Sequence, residues 1–269
     1  MLAYDVHGSG PGLVLLPGVG GTAALTWETL LAELAAEHTV ILVDLPGSGR
    51  SPLPVGRLDL DTVADQVVAT AERAGLGDFT IAGPSLGAVV AIKVAARQPD
   101  RVRGLITLSG FALPHTSLWL RLKTWASLLA RQDDRLRAFL TSLAFSEDHV
   151  AARRPEAAQS LATCLMTAAA GTARQIACAL GVDVRGDLSA VTASTLVVAA
   201  AGDRFVAPNH SVDLADGLPG ARLAAVRGGH AALFEEPDRT LEILTDFLRD
   251  LRSSHSGPHD DLLTPATHV

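Results

Sequence analysis

Three residues of this chain have the types and the order needed for covalent acyl chemistry: Ser85, Asp203 and His230. A serine hydroxyl is a weak nucleophile until a base takes its proton. An imidazole serves as that base when a carboxylate holds its other nitrogen protonated. Ser85 stands in Gly83-Pro84-Ser85-Leu86-Gly87, between the apolar run Phe79 to Ala82 and the alanine- and valine-rich run Ala88 to Arg97. A strand, a tight turn and a helix in that order thrust a serine out of a sheet, and the flanking glycines leave room where a Cβ would collide. The turn also sets Ser85 at a helix N-terminus, where unpaired amides face developing negative charge. Each residue has a plainer reading as well. A helix-capping serine gives the same pentapeptide, Asp203 could close its own turn, and His230 could be a capping or core histidine. Asp183 and Asp187 are rival acids, placed before the strand that ends near Asp203.

The elements that must position these residues alternate. Residues 2 to 6 read as an edge strand, and Leu13 to Leu16 as a strand buried on both faces, ending in Pro17-Gly18-Val19-Gly20-Gly21-Thr22. One amphipathic helix is expected over about 24–37, then a strand over Thr39 to Val43 and a turn-rich stretch, Asp44 to Pro52, with Asp44 bracing its glycine loop. A helix over about 60–74 leads to the strand before Ser85, and Val102 to Leu108 is the next strand. From Pro114 to Arg185 the apolar spacing turns helical: Leu118, Leu122, Trp125, Leu129; then Leu136, Phe139, Leu140, Leu143; then Leu161, Leu165, Ala168. Alternation resumes with a strand over Thr195 to Ala200, a helix over about 209–217, a strand over Ala221 to Val226 and a closing helix over about 237–252. The pattern predicts an α/β core over 1–112 and 186–252, a helical cap over 113–185 and a disordered tail over 253–269. Ser85, Asp203 and His230 each follow a strand at its C-terminal end, the edge where crevices form in an open parallel sheet.

Composition narrows the partners. With 48% hydrophobic and 19% charged residues in 269, the chain describes an ordinary globular core. A net charge of −7 with scattered positive charge gives no footprint for nucleic acid or an anionic membrane. No basic segment followed by an apolar one opens the chain, and no apolar run has the length of a membrane span, so a soluble cytoplasmic protein, monomer or homodimer, is expected. Cys164 and Cys178 fit no metal spacing and read as buried thiols. His7, His38, His255, His259 and His268 read as surface or tail residues, and His115, His149 and His210 as solvated surface with the option of lining a cleft.

Five segments in order carry a resemblance: Leu16-Pro17-Gly18; Asp44-Leu45-Pro46-Gly47-Ser48-Gly49-Arg50-Ser51; the pentapeptide at Ser85; Gly202-Asp203-Arg204-Phe205-Val206-Ala207-Pro208; and Gly229-His230 with Glu235 and Pro237. Over residues 1 to 252 the chain resembles the α/β-hydrolase superfamily, in its capped form. The resemblance implies a mostly parallel central sheet flanked by helices with a helical cap insertion. It also implies Ser85 as nucleophile, His230 as base, Asp203 as the triad acid, the backbone amides of Val19 and Leu86 as oxyanion hole, and no metal or organic cofactor. Pro17, Gly18, Pro84, Trp119, Trp125 and Phe205 are the candidate pocket residues. Pro17, Ser48 and Pro84 stand where relatives often carry histidine, which removes polar groups near the oxyanion site.

The function expected is a serine hydrolase acting on an ester or thioester of an apolar, polyketide-like small molecule. The alternative is a lyase or cyclising enzyme with His230 as general base on the substrate. A receptor with the same pocket is a third reading. Dehalogenation wants a carboxylate at position 85.

Overall fold

The computed structural model describes residues 1–53, 55–158, 161 and 170–255. Seven strands form one sheet: β1 (Tyr4–His7), β2 (Gly12–Leu15), β3 (Thr39–Val43), β4 (Phe79–Pro84), β5 (Val102–Leu108), β6 (Ser194–Ala200) and β7 (Arg222–Val226). Their order is β1-β3-β2-β4-β5-β6-β7, with β1 antiparallel to β3 and every other pair parallel. The strand sequences dictate a sheet covered on both sides, because successive Cβ atoms point to opposite faces. Leu13, Leu15, Val40 and Leu42 pack on one side with Trp27, Leu34 and Phe247, while Val14, Ile41, Val43 and Ile81 pack on the other with Val67, Val89 and Val94. Each such side chain, fully buried, contributes roughly 1.5–3 kcal/mol.

Helices α1 (Ala23–Trp27), α2 (Leu31–Glu37) and, after β7 and the short α10 (Ala232–Glu235), α11 (Pro237–His255) supply the first layer. Helices α3 (Leu60–Arg73), α4 (Leu86–Arg97) and α9 (Asn209–Gly217) supply the second. Two boundaries differ by more than two residues from expectation. The single helix expected over 24–37 is two, because the chain tightens at Leu30, whose amide bonds the Trp27 carbonyl at 3.0 Å, and the Thr29 hydroxyl donates to the Leu233 carbonyl at 2.8 Å. The closing helix continues to His255, taking up the first residues assigned to the tail.

Between β5 and β6 the described residues hold helices and no strand: α5 (Thr116–Ala130), α6 (Arg135–Ala144), α7 (Glu147–Ala151) and α8 (Thr172–Leu180). Leu165, Ala168 and Cys164 lie outside the described residues. No helix among the described residues is long and apolar enough to cross a membrane.

The strand order reverses between β2 and β4: the chain leaves β2 toward β3 on one side and returns at β4 on the other. At such a switch point the two following loops diverge and open a crevice. The loops here are Pro17 to Thr22 and the turn at Ser85.

Candidate active site

The turn at Ser85 is fixed by backbone contacts. Ser85 has φ 54° and ψ −120°, a conformation costing of order 1–3 kcal/mol for a residue with a side chain. Its amide donates to the Leu108 carbonyl at 3.0 Å, and its carbonyl accepts from Ala88 and Val89. A Cβ on Gly83 would lie 2.5 Å from the backbone of Gly87, and one on Gly87 would lie 2.5 Å from the Pro17 carbonyl oxygen, so both glycines are required for the turn to close. The Ser85 side chain makes no helix-capping bond, which leaves its hydroxyl to the cavity it lines.

Asp203 and His230 come together from the loops after β6 and β7. His230 Nδ1 and Asp203 Oδ2 are 2.8 Å apart, and the Asp203 side chain is fully buried. The other oxygen of Asp203 accepts from the amides of Phe205 and Val206, each at 2.8 Å. The carboxylate therefore closes its own loop with one oxygen and holds the imidazole with the other. The rival acids are otherwise engaged, Asp183 with Arg185 at 2.7 Å and Asp187 with Lys93 at 2.9 Å.

A cavity of about 110 Å³ lies over Ser85 and His230. Gly18, Pro84, Trp125 and Phe205, four of the six expected pocket residues, line it, and so does Val19. Pro17 is buried behind the loop, its carbonyl against Gly87. Trp119 is 40% exposed, with the Lys123 ammonium 5.2 Å from its ring, and takes no part in the lining. Leu140, Ala144, Leu233 and Phe234 complete the wall, and Thr26 adds a hydroxyl-bearing side chain. The expected helical stripe contained Leu140; nothing in the sequence marked the other four as cavity residues.

The amides of Val19 and Leu86 have no hydrogen-bond partner among the described residues. One begins the glycine turn after β2 and the other begins α4, next to Ser85. Val19 lines the cavity together with Ser85, and Leu86 follows Ser85 directly, so both amides lie near the serine.

Side chains remote in sequence hold the surroundings. Asp44 accepts from the amides of Ala23 at 2.9 Å and Arg50 at 3.4 Å, the bracing role expected of it. Glu235, 3% exposed, accepts from Gly229 N at 2.9 Å, Ser146 N at 3.0 Å and Ser146 Oγ at 2.5 Å. It thereby ties the His230 loop to the start of α7. Gln175, fully buried, reaches from α8 to Gly20, Pro46 and Ser48.

The remaining histidines and cysteines differ in part from expectation. His210 and His38 are buried, at 1% and 4% exposure, and burial lowers the pKa of both. His115 stacks on His210 at 4.0 Å, and His149 on Phe145 at 5.1 Å, and none of the three lines the cavity. His259 and His268 lie outside the described residues, and nothing is described of the His255 side chain. Burial pushes the Cys178 thiol up to about 11. No cluster of His, Cys, Asp and Glu among the described residues is placed to hold a metal ion.

Comparison with known proteins gives the fold family. A family profile described as alpha/beta hydrolase fold matches residues 11–237. The chain is 30% identical over 253 residues to the pyrrolizixenacetamide deacetylase of Xenorhabdus hominickii, covering 92% of this chain and 94% of that protein. It is 31% identical over 256 residues to a putative carbamate hydrolase RutD of Azorhizobium caulinodans, covering 93% and 96%. A thermophilic esterase from Thermogutta terrifontis superposes with a TM-score of 0.81 at 24% identity over 93% of each chain, a likeness of fold.

Proposed function

The chain belongs to the alpha/beta hydrolase fold family, and on that premise we propose that it is a serine hydrolase that releases a short acyl group from an ester, thioester or amide. The observation that carries this reading is the shared cavity: Ser85 and His230 line it together, and Asp203 holds His230 from the far side at 2.8 Å.

The steps follow from the atoms in place. The carbonyl carbon of the substrate meets Ser85 Oγ as His230 Nε2 takes the hydroxyl proton. Asp203 keeps Nδ1 protonated and stabilises the imidazolium. The carbonyl oxygen, now anionic, turns toward the amides of Val19 and Leu86, each donor being worth about 3 kcal/mol of barrier. His230 then passes its proton to the leaving oxygen, sulfur or nitrogen, and water repeats the sequence on the acyl-serine.

Cavity size bears on the substrate. A void of 150 Å³ holds one benzene ring, so about 110 Å³ suits an acetyl to butyryl group better than an extended polyketide chain. The apolar walls, Trp125, Leu140 and Phe205, favour that acyl part over a sugar or peptide. A scissile C–N bond is the reading that the deacetylase and carbamate-hydrolase relatives favour.

The test is release of p-nitrophenol from esters from acetyl to decanoyl and of p-nitroaniline from the matching anilides, with wild type and Ser85→Ala. A maximum at two to four carbons, lost in the variant, and an acyl mass on the Ser85 peptide are expected. Turnover without any acyl-enzyme overturns the hydrolase in favour of base catalysis by His230, and binding without turnover overturns it in favour of a receptor.

A further inference from the structure

The turn that presents the Val19 amide is weakly closed by its own bonds. Gly18, Val19, Gly20 and Gly21 form a tight turn in which Gly20 has φ 75°, the conformation expected at the third residue of a type II turn. The bond that closes it, Gly21 N to the Gly18 carbonyl, is 3.4 Å long, at the weak limit for an N–H···O bond. A turn closed so weakly can shift as a unit at the cavity edge, carrying the Val19 amide with it.

A stronger bond comes from outside the turn. The Gly20 amide, which belongs to that central peptide, donates to Gln175 Oε1 at 2.8 Å. The amide nitrogen of the same side chain donates to the Pro46 carbonyl and to Ser48 Oγ, each at 3.0 Å. Gln175 is fully buried, so its three bonds have no competition from water. The helix that carries it, α8, is itself moored at its first turn, where Gly171 N donates to the Gly47 carbonyl at 2.9 Å and the two glycine backbones touch. Ser48 is thus held by this glutamine.

We infer that Gln175 is a positioning residue for the oxyanion site: from α8 it pins the glycine turn at Gly20, and so fixes where the Val19 amide stands beside the carbonyl oxygen of the substrate. The assignment rests on Val19 being an oxyanion donor, and so on the hydrolase reading. Gln175 touches no reacting atom, and its effect falls on the transition state, where the oxyanion forms, and not on substrate binding.

The experiment compares wild type, Gln175→Met, Gln175→Glu and Ser48→Ala. Methionine keeps the length of the side chain and removes all three bonds; glutamate keeps an acceptor for Gly20; alanine at 48 removes one bond and leaves the Gly20 bond intact. On the best p-nitrophenyl ester, Gln175→Met should lower kcat roughly 10- to 100-fold with KM within threefold. Gln175→Glu should regain part of that loss, and Ser48→Ala should stay within threefold of wild type. Hydrogen exchange of the 18–21 segment, read by mass spectrometry on the folded protein, should quicken in Gln175→Met alone.

Unchanged exchange in Gln175→Met overturns the assignment whatever the activity. Faster exchange with unchanged kcat also overturns it, as does a loss in Ser48→Ala equal to that in Gln175→Met, which would reduce the effect to packing. A wild type never acylated at Ser85 overturns the hydrolase reading and the oxyanion role of Gln175 together, whereas acylation with unaltered exchange overturns the Gln175 assignment only.

Discussion

At Ser85 the backbone does the holding. The serine's φ of 54°, its amide bond to Leu108 and the two glycines packed against Gly87 and the Pro17 carbonyl are short-range consequences of a few neighbouring residues and two adjacent strands. The roof of the cavity is held differently, by single side chains that bridge distant segments: Glu235 to Ser146, 89 residues apart, and Gln175 to Gly20, 155 apart. The contrast separates two properties. Where Ser85 stands is built into the sheet edge, whereas the wall around it depends on a few buried polar bonds that one substitution can remove.

The largest expected effect tests the sheet edge. Ser85→Ala should lower kcat on the best ester by on the order of a millionfold while the thermal midpoint stays near wild type, since only a hydroxyl is lost. A residual rate within a hundredfold of wild type would break the comparison, because the chemistry would then not reside at the elbow. Asp203→Asn comes next, at about 10⁴-fold in kcat, since asparagine can keep the loop bonds to Phe205 and Val206 but leaves His230 in the wrong tautomer. A pH–rate profile of that variant should show the missing rate at every pH at which the protein is folded.

Glu235 tests the roof. Replacing it with alanine strands the amides of Gly229 and Ser146 and the Ser146 hydroxyl, at roughly 1–3 kcal/mol for each buried group left unpaired, less what water entering the gap recovers. An overall loss of about 2–4 kcal/mol by urea titration is expected. Glu235→Gln should cost under about 1.5 kcal/mol, since one oxygen stays an acceptor and the Ser146 hydroxyl can accept from the new amide. Equal losses in the two variants would show that the charge, and not the hydrogen-bond count, holds α7 to the His230 loop.

The same contrast explains what could be read in the sequence. The sheet was legible because strands covered on both faces are unbroken apolar runs, and the elbow because its glycines and serine are neighbours. Trp125 and Trp119 show a finer limit. Both were candidates for the pocket, yet Leu118, Leu122 and Trp125 share one buried side of α5 while Trp119, about 100° around the helix from Leu118, faces outward. Helical period alone distinguishes the two tryptophans. By contrast, no local signal marks Gln175, one polar residue in Thr172-Ala173-Arg174-Gln175-Ile176, because its partners lie in two loops far up the chain. The break between α1 and α2 was hidden for the same reason: the Leu233 carbonyl that accepts from Thr29 is 204 residues away.

His210 gives the smallest effect and tests the point where the chain enters α5. The backbone amide of His115 donates to His210 Nε2 at 3.1 Å, so the proton of the neutral ring sits on Nδ1 and is donated to the Ala207 carbonyl at 3.0 Å. A second proton would set N–H against N–H. Burial, the leading cause, lowers the pKa of His210, and His115 adds to the lowering while the hydrogen bond to Ala207, Asp213 and Asp203 oppose it; burial lowers His38 and His149 as well. With folded values below an unfolded value of about 6.5, the unfolded chain takes up protons that the folded chain refuses, so stability falls as pH drops below about 7 and is level above it. The thermal midpoint should therefore decline between pH 7 and 5.5, and less steeply in His210→Gln, whose amide can still accept from His115. If the variant keeps the full slope, His38 and His149, which burial lowers too, carry the pH dependence, and the start of α5 is insensitive to acid.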